Sequence, residues 1–514
     1  MTASPGPADP LRDVALFAAL PPGVRAQLAA AGARRALAAG EWLFRAGDPG
    51  DALYAVASGR LEVVGEDGAV LREVARGGAV GELALLTGEP RSASVRARRD
   101  SELLEVSAEA VDGLLRRDPS LALHVARHLA AQLRASRSLA PVEPPPVPTT
   151  IALVPGGTGP LIAGFADALA ERLRSFGAVE VFDVTSAGDP PGWAGRVDAA
   201  EAAGARVLLV AGEDGDSAQS VSGEDGGWPE FCRRQADRVV EIGARPPDPA
   251  RLARRLAGRA VGVVLSGGGA RGLAHIGVLE ALTEAGVVVD RVGGCSMGAL
   301  VGAQFALGRE PAEIRERCRA ELVERNPLGD YTVPRIALTR GRRGRAMLDR
   351  MLGEARIEDL PRDFFCVSSD LVAGTLAVHR EGRLADAVAA SVALPGIVPP
   401  VRLGDRVLVD GGVLDNLPVG EMAASGEGPV VAVDVTARFD PSARAGIRET
   451  LLRTLVLGSS DTAAAAQAHA DAVIEPDVAG IGMLDFARLD DLVQAGREAA
   501  RRALADAPAG LLGG

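Results

Sequence analysis

From Ile151 to about Leu504 the chain repeats one pattern, an apolar run of strand length followed by a helix-length stretch, and a parallel α/β layer is the architecture that satisfies it. The first series comprises IALVP, VEVFDV, RVLLVAG and RVVEIGA, with AGFADALAERLRSFG as an intervening helix. A second series opens after the Arg-rich helix near Arg251 with VGVVL, a glycine cluster, another helix and VVVDRVGGCS. The two series share an architecture but no internal repeat.

Upstream the pattern is different. LYAVA, LEVV and VLREVA are punctuated by GDPGD, SG and GEDG, which reads as a small antiparallel β-domain. A helix from Pro119 carries Leu121, Val125, Leu129 and Leu133 on one face. That stripe is expected to pack on the β-domain or on a twin subunit, because its polar face is not basic enough for a membrane-surface helix. Between the two regions, the prolines of APVEPPPVPTT favour an extended, semi-rigid spacer.

Composition removes several functions. A net charge of −12 argues against a protein that coats nucleic acid. No lysine occurs, which excludes a P-loop lysine, a Schiff base and a Ser-Lys dyad. Cys232, Cys295, Cys318 and Cys366 lack metal-ligand spacing and read as buried thiols in a reducing compartment. The N-terminus has neither the basic flank nor the apolar run of a signal peptide, and no apolar stretch is long enough to span a bilayer. The expectation is a cytoplasmic protein that touches membranes peripherally if at all.

Chemistry concentrates in the second α/β series. Gly294-Cys295-Ser296-Met297-Gly298 follows an apolar run and precedes the helix-forming ALVGAQFAL, so Ser296 falls on a sharp strand-to-helix turn near helix N-terminal amides. Gly267-Gly268-Gly269-Ala270-Arg271-Gly272 follows VGVVLS, and successive glycines let backbone N–H groups converge on an oxyanion. The same cluster satisfies GxGxxG with Asp290 downstream, so a dinucleotide-binding oxidoreductase is an alternative reading. A serine nucleophile needs a base. His275, His379 and His469 follow the cluster, but none lies in an obvious catalytic loop, and His124 and His128 lie far upstream. Asp410-Gly411-Gly412 ends RVLV and offers a carboxylate on a glycine turn, which makes a Ser-Asp dyad chemically workable. An ordinary Asp, with a pKa of about 3.9, is a poor base, so the fold must desolvate it.

Taken in order, SGGGARGLAHIGVL, GCSMG, ASVALPGIVPPV and DGG resemble the patatin-like phospholipase family over about residues 260–505. The resemblance implies a dyad of Ser296 and Asp410, an oxyanion hole from Gly267, Gly268, Gly269, Arg271 and Gly272, and metal-independent hydrolysis of acyl esters in phospholipids or lysophospholipids. It also makes His275 a structural residue of the glycine-loop helix. Strand alternation is expected to turn Cys295 away from Ser296 into a packing role. Ser391 and Asp370 read as strand-end and helix-start polar groups. The run RIALTRGRRGRAMLDRML gathers Arg335, Arg340, Arg342, Arg343, Arg345 and Arg350, either as a solvated face with acidic partners or as a contact for anionic headgroups.

In the N-terminal region, Gly81-Glu82-Leu83-Ala84-Leu85-Leu86 and then Pro90-Arg91-Ser92-Ala93-Ser94-Val95 resemble the phosphate-binding cassette of cyclic-nucleotide-binding domains, with Gly47, Gly50 and Gly59 fitting that family's β-roll. The resemblance places Arg91 on the cyclic phosphate, Glu82 on the ribose 2′-hydroxyl and Ser92 on a phosphate or base, with Gly81 and Leu83 completing the turn. Val80 stands where an aromatic residue is commoner. The order of parts, with WPEFCRRQAD between them, is similar to bacterial relatives of neuropathy target esterase, which are lysophospholipases.

The expected fold is therefore multidomain. An N-terminal β-roll with helices spans 12–138, a Pro-rich linker 139–150, a central α/β Rossmann-like layer 151–250, and a C-terminal α/β patatin-like hydrolase domain 258–505. The expected function is a serine esterase with no cofactor, cyclic AMP or cyclic GMP as regulatory ligand, a lipid substrate, no nucleic acid, and a homo-oligomeric state left open. A non-catalytic cyclic-nucleotide effector is the other alternative.

Overall fold

The computed structural model describes residues 14, 22–65, 70–81, 90–110, 147–156, 162–183, 193–211, 232, 233, 235–243, 246–333, 336–436 and 469–506. The chain divides into two compact units, residues 1–140 with 148–246 and residues 141–147 with 247–514. The stripe Leu121 to Leu133, both upstream histidines and most of the Pro-rich linker lie outside the described residues.

The first unit opens with an antiparallel sheet of β1 (Ala33–Leu37), β2 (Trp42–Phe44), β3 (Ala52–Val64), β4 (Val70–Ala75), β5 (Ala79–Val80) and β6 (Ser94–Ser107). LYAVA and LEVV are one strand, β3, rather than two. Gly59 lies between them at φ 85°, its missing Cβ leaving room for Ser101, and the register against β6 shifts around it. A glycine here bends the strand without ending it. The same unit holds a parallel sheet in the order β10-β7-β9-β8, from β7 (Thr150–Pro155), β8 (Val179–Asp183), β9 (Arg206–Val210) and β10 (Arg238–Ile242). Where the sequence separates sensor and middle layer, a buried charge network joins them. Arg99, 4% exposed, donates to Glu201 at 2.7 Å and to Gln235 O at 3.3 Å.

The second unit is built on an eight-stranded mixed sheet. Its path runs through β15 (Val401–Leu403), β16 (Arg406–Asp410), β13 (Asp363–Asp370), β12 (Val289–Cys295), β11 (Val261–Leu265), β17 (Val430–Val433) and β18 (Ala472–Ile474), with β14 (Thr375–His379) against β13. Strands β13, β12, β11, β17 and β18 run parallel to one another, and β16 runs antiparallel to β13. The carboxyl ends of β11 and β12 therefore lie side by side, which is where loops of an open α/β sheet gather a site. Among the described residues no helix is long and apolar enough to cross a membrane.

Helix Ala274–Glu284, which follows the glycine loop, packs on helix Leu489–Asp506 through two glycines. A Cβ on Gly277 would meet Val493 O, and one on Gly496 would meet Ala274 O. Gly277→Val is expected to cost about 3 kcal/mol or more by overpacking. Urea denaturation that shows a lower midpoint with unchanged slope would register it.

Candidate active site

Strand β12 is buried along its whole length and ends at Cys295, so Ser296 emerges where the sheet stops. Its backbone sits at φ 52°, ψ −119°, a conformation rare for a side-chain-bearing residue and characteristic of a strained elbow. The flanking glycines permit it. A Cβ on Gly294 would lie 2.7 Å from Gly298 C, and one on Gly298 would collide with Leu265 O. Helix Met297–Ala306 starts directly after the serine and aims its N-terminus at it.

Ser296 Oγ donates to Asp410 Oδ2 at 2.6 Å. Asp410 ends β16 and caps the turn Gly411–Val413, accepting at Oδ1 from Gly412 N–H at 2.9 Å. Its carboxyl is 3% exposed, and burial raises its pKa to about 6, against the opposing pull of hydrogen bonds from Ser296, Gly412 and Cys295. The carboxylate thus has the proton affinity that an ordinary aspartate lacks.

Cys295 has the packing role expected of it: it is fully buried in an apolar cluster with Val264, Phe365 and Val367 and lines neither cavity at Ser296, though its Sγ also lies 3.7 Å from Asp410 Oδ1. Burial drives its thiol far above the usual range, so it is no nucleophile. Cys232 and Cys318 are likewise pushed up to about 12 by burial.

The residues of the glycine cluster do not all face Ser296. Gly267 N–H donates to Asn416 O at 3.1 Å, so that amide is already engaged. Arg271 directs Nε to Ile481 O at 2.7 Å, away from the serine, and Gly272 packs beneath Met297. Gly268 and Gly269 remain, and both line the small cavity that also contains Ser296, Asp410, Gly412 and Asn416. Gly269 needs its φ of 57°, since Met483 O occupies the place of its Cβ.

Two side chains that the sequence did not single out for the site belong to its frame. Ser391 Oγ accepts from Ser296 N–H at 2.9 Å, and Asn416 Nδ2 donates to Gly267 O at 3.1 Å. Ser391 ends helix Leu384–Ser391, not a strand, while Asp370 ends β13 rather than starting a helix and accepts from Val372 N–H at 2.9 Å. His275 is buried with Nε2 against Ser266 O at 2.8 Å, and burial lowers its pKa to about 4. His379 Nε2 meets Ser368 Oγ at 2.8 Å. Neither of these histidines nor His469 lines the cavities at Ser296. Asp290, the acidic residue of the dinucleotide reading, is fully buried and held bidentately by Arg254 at 2.7 Å, so it is not available to a ribose.

A second cavity of about 250 Å³ opens from Ser296. Its wall is largely apolar, including Leu300, Leu322, Met347, Leu348 and Val392, with Arg340 and Arg345 at its polar margin. Such a cavity suits an alkyl chain held next to Ser296.

In the first unit, Arg91 is 4% exposed and donates to Gly81 O at 3.0 Å and Ala52 O at 2.7 Å, with its guanidinium 4.3 Å from the Phe44 ring centre. Its Nε has no partner among the described residues. Gly81 lies at φ 89°, beside that guanidinium, and Ser92 is exposed. Glu82 and Leu83 lie outside the described residues. Within the Arg-rich run, Arg345 pairs with Asp386 and Arg350 with Glu321, whereas Arg340, Arg342 and Arg343 have no carboxylate partner among the described residues; Arg335 lies outside them.

Comparison with known proteins matches these two units. The profile of the patatin-like phospholipase family covers residues 263–423, and that of the cyclic nucleotide-binding domain covers residues 34–118. An uncharacterized NTE family protein of Mycobacterium tuberculosis is 36% identical across 97% of this chain and 96% of its own length. Patatin-like phospholipase domain-containing protein 7 of Rattus norvegicus is 27% identical across 78% of this chain and 38% of its own. Lysophospholipase NTE1 of Candida glabrata is 38% identical over 40% of this chain and 12% of its own. With identity at this level running almost end to end through the mycobacterial relative, the chain belongs to the NTE family and carries a cyclic-nucleotide-binding domain ahead of a patatin-like phospholipase domain.

Proposed function

We propose that the chain is a serine esterase that hydrolyses acyl esters of lysophospholipids or phospholipids through a Ser296–Asp410 dyad. The observation that carries this reading is the 2.6 Å bond from Ser296 Oγ to a buried carboxylate, at the entrance of an apolar cavity of about 250 Å³. Ser296 Oγ attacks the ester carbonyl as its proton passes to Asp410. The carbonyl electrons move onto oxygen, where the Gly268 and Gly269 amides and the N-terminus of helix Met297–Ala306 stabilise the charge. The C–O bond to the glycerol breaks, and Asp410 returns the proton to the departing alkoxide. Water, activated by the same carboxylate, then cleaves the acyl-serine and frees the fatty acid. Release of fatty acid from lysophosphatidylcholine by the wild-type protein, with covalent labelling by a fluorophosphonate, is the expected result. A folded protein that gives neither would remove the reading.

Residues 12–138 would be the nucleotide sensor, 151–250 a Rossmann-like layer that braces it, and 258–505 the hydrolase. Binding of cyclic AMP or cyclic GMP is supported by the family match and by the buried Arg91 beside Gly81, whose Nε has no partner among the described residues. Regulation requires different affinities for two activity states. Turnover that ignores both nucleotides over their full concentration range would exclude it.

A further inference from the structure

Resting on the lipid-esterase reading, we propose that residues 331–333 and 336–343 dock the second unit on an anionic phospholipid bilayer. Tyr331 and Thr339 form an antiparallel bridge, reinforced by Thr332 N–H to Leu338 O and Arg340 N–H to Asp330 O, both at 3.0 Å. The two described arms of this strap, 331–333 and 336–340, therefore share a fixed base. Along it Tyr331 is 67% exposed, Val333 76%, Ile336 76% and Leu338 37%. Single exposed apolar residues are ordinary on a protein surface, but four on one short strap form a patch, and patches mark contacts.

The charge beside the patch names the partner. Arg340, Arg342 and Arg343 are exposed and have no carboxylate partner among the described residues, in a chain whose net charge is −12. Their backbone is fixed as well, since the amides of Arg342 and Arg343 both donate to Asp330 Oδ2, at 2.8 and 3.1 Å. Apolar and aromatic side chains next to unpaired arginines are the combination that enters a headgroup region, with the rings and aliphatic groups below and the guanidinium groups among the phosphates. An acidic protein would satisfy the arginines but leave Val333 and Ile336 in water.

Position links docking to the site. The strap is held by Leu338 N–H on Gly396 O at 2.9 Å and Thr339 N–H on Ile397 O at 3.0 Å, while Ile397, Arg340 and Gly341 line the apolar cavity. A bilayer that takes up the strap therefore meets the wall of the cavity into which an acyl chain would pass.

The test uses the full chain carrying Ser296→Ala, so that binding does not depend on turnover, and measures co-sedimentation with vesicles of equal parts phosphatidylcholine and phosphatidylglycerol and with vesicles of phosphatidylcholine alone. Adding Arg342→Gln with Arg343→Gln is expected to lower partition onto the anionic vesicles by about tenfold or more and to flatten its salt dependence. Adding Val333→Asp with Ile336→Asp is expected to abolish partition onto both. In the Ser296 background, either pair should leave hydrolysis of a soluble short-chain ester unchanged, which shows that the fold is intact and separates docking from the esterase reading. Equal partition of all variants, or an apolar-tip pair that dissolves a dimer without changing vesicle binding, would overturn the proposal.

Discussion

Ser296→Ala is expected to lower kcat for a soluble ester by on the order of 10⁴-fold or more, to change KM little, and to abolish fluorophosphonate labelling. The size follows from the absence of any substitute. Cys295 is adjacent, but its thiol is buried beneath a carboxylate that opposes ionisation, and its Sγ points to Asp410 rather than to the cavity that Ser296 lines. Among the described residues no histidine lines that cavity to activate a water in the serine's place. The variant should remain folded, because alanine takes the same φ of 52° at no greater steric cost than serine. It does lose the hydrogen bond that opposes desolvation of Asp410, so the carboxyl should titrate above its wild-type value of about 6. Labelling of the variant at the wild-type rate would move the nucleophile elsewhere.

The parts of this site visible in the sequence are those that need glycine. The elbow at Ser296 and the loop at Gly267–Gly269 demand backbone that only Gly-rich segments allow, and composition records that demand directly. Ser391 and Asn416 left no such trace. Each acts across a long stretch of chain, 95 residues to Ser296 and 149 to Gly267, through one polar side chain bonded to backbone, and nothing local distinguishes such a serine or asparagine from a helix-end or loop polar group. For the same reason the sequence offered five residues for an oxyanion hole. Which amide is free depends on Asn416 O, and where Arg271 points depends on Ile481 O, both contributed by distant loops. Strand periodicity served well until the elbow. It located β11 and β12 and the packing role of Cys295, but it could not orient Ser296, because the period of two holds only while the backbone stays extended. In the first unit, the strands of the parallel layer were legible as apolar runs. The joining of that layer to the β-roll was not, since it rests on Arg99 finding Glu201 and Gln235 across more than a hundred residues.

Asp410→Asn is expected to lower kcat by about 10³-fold to 10⁴-fold and, unlike most active-site changes, to alter stability in a pH-dependent way. The wild-type carboxyl is raised to about 6 in the folded protein by burial, against about 3.9 in the unfolded chain. Between those values the folded state holds a proton that the unfolded state has lost, so the unfolded state binds fewer protons and stability falls as pH rises through the window. Two pKa units correspond to about 3 kcal/mol, present in full as a destabilisation above pH 7 and absent below pH 4. The asparagine variant has no such titration. Its amide must still face Gly412 N–H and Ser296 Oγ, so its absolute stability can lie on either side of the wild type, and the informative quantity is the change in the difference with pH. Urea unfolding of both proteins at pH 4, 6 and 8 should show the variant gaining on the wild type by roughly 2–3 kcal/mol across that range. On the proposed mechanism the same proton governs catalysis with the opposite consequence, since only the ionised carboxylate can accept the proton of Ser296. The kcat/KM of the wild type should therefore fall tenfold per pH unit below about 6. A stability difference that does not vary with pH, together with a rate profile flat to pH 5, would mean that Asp410 is not the desolvated base and that the proton leaves Ser296 by another route.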